Sequence, residues 1–207
     1  MSNWFLGLPL ELGHGFELPA PLPGARLLHA TDLHVTLAFL GPVGEVRARR
    51  AAGVFEDLLR SRLREPIEVT FERALPLGPS QRFSVVAATL GAGRATCEAL
   101  LAELRNAPCD AIGVARDPRP PLPHVTLARV DRRAGLRERE HVLAWAAKLD
   151  LSKVRARLAS AALFTRASAV AGGEHSAGPR PRYTRVLEWD LHGRDLHGRG
   201  LRREDQR

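Results

Sequence analysis

Two identical five-residue segments hold the residues best suited to chemistry in this chain. Residues 34–38 and residues 124–128 both read His-Val-Thr-Leu-Ala, 90 positions apart (124 − 34) in a chain of 207 residues. In a β-strand successive side chains point to opposite faces. His34 and Thr36 then share one face, as do His124 and Thr126, while Val35, Leu37, Val125 and Leu127 turn to the other. Histidine gives or takes a proton near neutral pH, because its ordinary pKa is about 6.5. A threonine hydroxyl beside it can donate to the non-bridging oxygens of a phosphate, where charge must be stabilised as a nucleophile displaces a leaving oxygen. If a pseudo-twofold axis relates the two strands, two His and two Thr line one cleft. Such a set divides the proton work of phosphodiester displacement between the histidines and needs no metal.

A single His-x-Thr is most often an incidental match with no chemistry. The same five residues repeated at nearly half the chain length are a rarer coincidence. A zinc site has less behind it: there is no His-Glu-x-x-His, and Asp32 is the one carboxylate close in sequence to either copy. The other histidines (His14, His29, His141, His175, His192 and His197) are scattered and fit solvated or structural positions.

The elements that must position the repeat follow from patterning. Trp4 to Leu10 reads as a buried strand, and residues 13–24 as a Gly/Pro-rich loop. Arg26 to Thr31 and Leu33 to Leu40 read as strands, the second closed by Gly41-Pro42. Apolar residues at helical spacing mark a helix from Val46 to Leu63, a second with Cys97, Leu100, Leu101 and Leu104, and a third with Val142, Trp145 and Leu149. Ile67, Val69 and Phe71 alternate as a half-buried strand. Leu75 to Ser80 reads as a turn, and Arg82 to Leu90 and Pro123 to Val130 as strands. The late strands are Val154 to Arg166 and Tyr183 to Leu191, joined by a Gly/Pro-rich loop, Ala171 to Pro181. This order indicates an α+β domain of mostly antiparallel sheet, with one domain over residues 1–191 and a polar, frayed tail over 192–207.

Lys and Arg number 31 against 23 acidic residues, a formal charge of +8, and hydrophobic residues are 44% of the chain. That is enough apolar material for a core. A basic balance suits polyanionic partners such as RNA or nucleotides, and is equally accounted for by arginine-rich composition alone. Cys97 and Cys109 form no Cys-x-x-Cys pair, which argues against a disulfide scaffold or a zinc ribbon and for a reducing compartment. No apolar run approaches the roughly 20 residues needed to span a membrane, and Met1 to Pro9 has no basic leader region. A soluble, cytoplasmic protein is expected.

The segments Asp32-Leu-His-Val-Thr-Leu-Ala-Phe-Leu-Gly41 and Leu122-Pro-His-Val-Thr-Leu-Ala-Arg129 resemble the 2H phosphoesterase superfamily, defined by two His-x-Ser/Thr motifs. Within it they resemble the bacterial RNA 2′,3′-cyclic phosphodiesterases, or 2′-5′ RNA ligase-like proteins. The resemblance implies two pseudo-symmetric lobes with helices outside and a central cleft. It implies that His34 and His124 are the general acid and base, and that Thr36 and Thr126 hold the phosphate. Phe39 would offer an aromatic face to a base and Arg129 a charge. The 2′,3′-cyclic phosphate would open to a 2′-phosphate, with His34 as acid and His124 as base by analogy, although the two motifs are equivalent by pattern. RNA ends or cyclic nucleotides are the implied partners, with no cofactor, no metal, no membrane and a monomeric chain. Other readings are a phosphodiesterase for 2′-5′-linked oligonucleotides or an ADP-ribose cyclic phosphate, and, in another class, a non-catalytic nucleotide- or RNA-binding module. One departure stands out: relatives carry a helix between the first strand and the strand before motif one, where residues 11–24 here are short and proline-rich.

Overall fold

The computed structural model describes residues 2–13, 17, 19, 23–79, 81–167 and 180–191. Its frame is one curled, antiparallel sheet. The strands are β1 (Trp4–Pro9), β2 (Glu11–Leu12), β3 (Ala25–Leu27), β4 (His34–Gly41), β5 (Ile67–Leu77), β6 (Val85–Leu90), β7 (His124–Val130), β8 (Arg155–Leu158), β9 (Ser160–Arg166) and β10 (Tyr183–Asp190). They lie in the order β10-β9-β1-β4-β7-β6-β5-β8-β2, with β3 also on β7. The helices are α1 (Glu45–Arg62), α2 (Arg94–Leu104), α3 (Asn106–Ala111) and α4 (Leu136–Lys148). This is the expected α+β architecture.

Strand alternation assigns the two faces of the sheet. Trp4, Leu6 and Leu8 of β1, Val35 and Leu40 of β4, and Ala161 and Leu163 of β9 pack with Phe55 and Leu59 of α1 and Leu100, Leu101 and Leu104 of α2 in the larger core. Val86, Ala128 and Val130 pack with Val142, Trp145 and Ala146 of α4 in a second core. The helices therefore all cover one face. The opposite face is left for a cleft.

The two lobes meet at a narrow seam. Of the residues in β4 and β7, Val35 and Val125 are the paired ones. Upstream, β3 runs along β7, with Leu27 facing Ala128 and the Leu28 amide donating to the Leu127 carbonyl. A 3-10 turn at Ala30–Asp32 then lifts the chain away before β4 begins.

Several boundaries differ from those read in the sequence. The expected strand Arg26–Thr31 is shorter, because the His29 ring accepts from the Thr31 amide and draws the chain into the 3-10 turn. The expected turn at Leu75–Ser80 starts later: β5 pairs with β6 as far as Leu77, and the reversal falls at Gly78, whose φ of 112° favours glycine. The single strand expected over Val154–Arg166 is two. β8 pairs with β2 and β5, while β9 pairs with β1 and β10. The chain changes lobe at Ala159, whose carbonyl takes the Leu191 amide. Glu11 and Leu12 add a short strand between the expected first strand and the expected loop, and α3 lacks an expected counterpart. The 192–207 tail, most of the 171–181 loop, and His14, His175, His192 and His197 lie outside the described residues. No described helix is long and apolar enough to cross a membrane.

Candidate active site

The seam places the two copies of the repeat side by side. With Val35 opposite Val125, the antiparallel count sets His34 across from Thr126 and Thr36 across from His124. All four lie on the face turned from the cores. Directly opposite residues in such a ladder have Cβ atoms about 5 Å apart, and diagonal ones about 7–8 Å. The two imidazoles are thus diagonal neighbours, a separation a tetrahedral phosphate can bridge.

Each ring is held in the same way. His34 Nδ1 donates to the Asp32 carbonyl at 2.6 Å, and His124 Nδ1 donates to the Leu122 carbonyl at 2.8 Å. A carbonyl only accepts, so both Nδ1 atoms carry hydrogen and both Nε2 atoms are left for chemistry.

The repeat also carries a shared irregularity. The β1–β4 register passes from Leu6 opposite Ala38 to Gly7 opposite Thr36, which leaves Leu37 as an extra residue. The β6–β7 register passes from Val86 opposite Ala128 to Ala87 opposite Thr126, which leaves Leu127 extra. A bulge inverts the alternation beyond it. Strict alternation from His34 would send Phe39 to the helical side; the bulge returns it to the cleft face, where it is 55% exposed. The matching bulge returns Arg129 to the face of His124 and Thr126.

The surroundings of the two histidines differ. His34 is buried, its ring stacked on Phe5 with centroids 4.7 Å apart, tilted against Phe164 at 5.1 Å, and edge-on to Tyr183 at 5.6 Å. Its ring extends over Gly7. A Cβ there would stand 2.7 Å from the Val35 carbonyl oxygen and 3.5 Å from His34 Cδ2, so only glycine fits without displacement. Burial lowers the His34 pKa from 6.5 to about 4; the Asp32 hydrogen bond opposes this, and the positive charges of His124, Arg129 and Arg185 add to it. His124 is half-buried and its pKa is also lowered, by burial first and then by Arg119 and Arg129, against the raising effect of its bond to Leu122. The effect of the His124 charge on His34 agrees with their diagonal placement.

Asp32 breaks the symmetry of the repeat, because its counterpart in the second copy is Leu122. The Asp32 carboxylate is buried and accepts the backbone amides of Arg182 at 2.7 Å and Tyr183 at 3.0 Å. It thereby fixes the start of β10. The Tyr183 hydroxyl in turn accepts from Arg129 Nη2 at 3.2 Å. Arg129 Nε is sealed from solvent with no hydrogen-bond partner among the described residues.

The structure brings His34, Thr36, His124, Thr126, Phe39 and Arg129 onto one face. Arg82 and Arg180 are exposed, and Arg182 contributes its amide to Asp32. Sequence reasoning missed Phe5, Gly7, Phe164 and Tyr183 as the enclosure of His34, and Asp32 as its tether. The one sequence signal was Asp32, a carboxylate two residues before a motif histidine. Among the described residues no three metal-ligating side chains cluster.

Comparison with known proteins bears on the fold and the family. No curated protein sequence matches the chain. Among solved structures, LigT of E. coli complexed with 3′-AMP is 20% identical with a TM-score of 0.54, covering 92% of this chain and 98% of that one. TT0787 of Thermus thermophilus is 19% identical with a TM-score of 0.60 over the same shares. Usb1 of Kluyveromyces marxianus is 15% identical with a TM-score of 0.51, covering 78% of this chain and 92% of that one. These likenesses establish the fold, that of the 2H phosphoesterases. The 2′-5′ RNA ligase superfamily matches residues 20–169, a span that includes both histidine motifs, and the chain belongs to that superfamily.

Proposed function

We propose that this protein hydrolyses 2′,3′-cyclic phosphates at RNA ends, or on small nucleotides, to 2′-phosphates by two-histidine acid–base catalysis. The observation that carries the reading is the paired placement of His34 and His124. They are diagonal neighbours, tethered at Nδ1 by equivalent carbonyls, with a threonine across from each. Pure binding has no use for two titratable rings presented in this way. That E. coli LigT is known in complexes with 3′-AMP, ATP and NADP+ supports a nucleotide as the substrate's recognised part.

In the reaction, a water attacks phosphorus and gives its proton to Nε2 of one histidine. The bond from phosphorus to O3′ breaks, and O3′ takes a proton from Nε2 of the other. Thr36 and Thr126 donate to the non-bridging oxygens, and Arg129 adds positive charge. The aromatic enclosure disfavours the charged form of His34. This supports His34 as base and His124 as acid, the reverse of the division implied by analogy. Among the described residues, Phe39 is the one exposed ring on this face that can stack a nucleobase.

The test is incubation with a nucleoside 2′,3′-cyclic phosphate in excess EDTA, with separation of the 2′- and 3′-phosphate products. Formation of the 2′-phosphate, abolished by His34→Ala and by His124→Ala, is the expected result. Absence of hydrolysis by the wild type would leave a binding module.

A further inference from the structure

Beyond the seam the cleft face carries a pair of cations. Arg26 on β3 stands directly opposite Arg129 on β7. Their neighbours Ala25, Leu27, Ala128 and Val130 pack into the second core, so both arginines point to the cleft face. Like charges directly opposite in an antiparallel ladder repel. Among the described residues neither arginine has a carboxylate partner, in contrast with Arg119 on Asp117 and Arg185 on Glu188. Arg129 is tied to Tyr183 and is close enough to lower the proton affinity of both histidines. Arg26 is exposed and stands on the far side of Arg129 from β6, whose Val85 is the other neighbour of Arg129. Because Leu127 is the extra residue of the bulge, the row holding the arginines lies two ladder positions past Thr126, from Ala87 to Val85 on β6, about 7 Å at a strand's rise. Long guanidinium side chains shorten that to the reach of a phosphate one nucleotide away from the reacting one.

We infer that Arg26, with Arg129, forms a second anion subsite that takes the phosphate on the 5′ side of the terminal nucleoside. This rests on the phosphodiesterase reading and deepens it: the preferred substrate is an oligonucleotide end, or a 5′-phosphorylated nucleotide, over a bare nucleoside cyclic phosphate. The anion that relieves the repulsion between two facing guanidinium groups is supplied by substrate, and base identity does not enter.

Two measurements on the full chain test this together. Calorimetric titration compares a nucleoside 2′-phosphate with the same compound bearing a 5′-phosphate, and turnover compares a nucleoside 2′,3′-cyclic phosphate with a dinucleotide ending in one. The wild type is expected to prefer the additional phosphate by about tenfold or more in Kd and in kcat/KM, a preference that shrinks as salt rises. Arg26→Gln should bring both ratios towards one, with a melting temperature equal to or above that of the wild type. Equal handling of the paired ligands by the wild type, or a preference untouched in Arg26→Gln, overturns the subsite. The 5′-phosphate preference in binding without turnover of either substrate keeps the subsite and overturns the hydrolase. Neither binding nor turnover overturns both.

Discussion

Phe39 and Arg129 occupy the same position in the two copies of the repeat, each turned onto the cleft face by the same one-residue bulge. The pseudo-twofold relation thus extends past the motif, and the chemistry diverges at its far end: an aromatic face on one lobe, a charge on the other. This partly broken symmetry sets what each lobe should show when perturbed.

The division of labour between the histidines is open to a leaving-group test. An aryl phosphodiester such as a nucleoside p-nitrophenyl phosphate departs without help from an acid. With His124 as acid, His124→Ala should lose about 100-fold or more on a cyclic phosphate and under about tenfold on the aryl ester. His34→Ala, lacking the base, should lose about 100-fold or more on both. The opposite pattern would assign His34 as the acid.

Stability should report the enclosure of His34. Its folded pKa of about 4 lies below the ordinary 6.5, so between these values the unfolded chain binds more protons than the folded one. Stability gained from keeping His34 neutral is then present above pH 6.5 and is lost as pH falls towards 4, by about 3 kcal/mol. Urea unfolding of the wild type at pH 7 and pH 4, beside His34→Gln, measures it. The variant should lose less over that interval; an equal loss would show that His34 is not the group responsible.

Asp32 acts on His34 through β10. Asp32→Ala leaves the amides of Arg182 and Tyr183 without their acceptor, at a cost of about 1–3 kcal/mol. With Tyr183 released, water reaches His34, and its imidazole pKa should rise from about 4 towards 6.5 in an NMR titration. Asp32→Asn, which keeps one acceptor oxygen, should restore part of both. An unmoved His34 titration in Asp32→Ala would mean that Phe5 and Phe164 alone set it.

Gly7 gives His34 its room. Gly7→Ala brings a methyl to 2.7 Å from the backbone oxygen of Val35, and backbone cannot swing aside as a flexible side chain does. The expected cost is about 1–3 kcal/mol, with a drop in kcat larger than any change in KM as the His34 ring is displaced. A melting temperature and kcat matching the wild type would show that β1 and β4 shift apart freely.

The placement of His34 with Thr36, and of His124 with Thr126, on one face was readable because it depends only on identity and parity within five residues. Phe39 and Arg129 were reached by family likeness and not by patterning: strict alternation places both on the wrong face, and nothing in Leu37 or Leu127 announces a bulge. The wall around His34 was out of reach for another reason. Phe5, Phe164 and Tyr183 come from three strands, two of them far along the chain, and sheet order cannot be read from local periodicity. The division of β8 from β9 was hidden similarly, since residues 155–166 are continuous in composition and differ only in their partners. Asp32 was visible as a residue but its amide partners, 150 and 151 positions away, were not.

The change of lobe at Ala159 has a consequence for how the molecule can be divided. The lobe holding His34 is built from β1, β4, β9 and β10, so it takes strands from both ends of the chain. The lobe holding His124 takes β8 from the same late segment. Although the motif is duplicated, neither half of the sequence encodes a lobe. A cut between residues 90 and 120 would leave β1 and β4 without β9, exposing the Phe5 edge and the backbone of a central strand. The repeat reads as two modules, but the sheet is sewn as one.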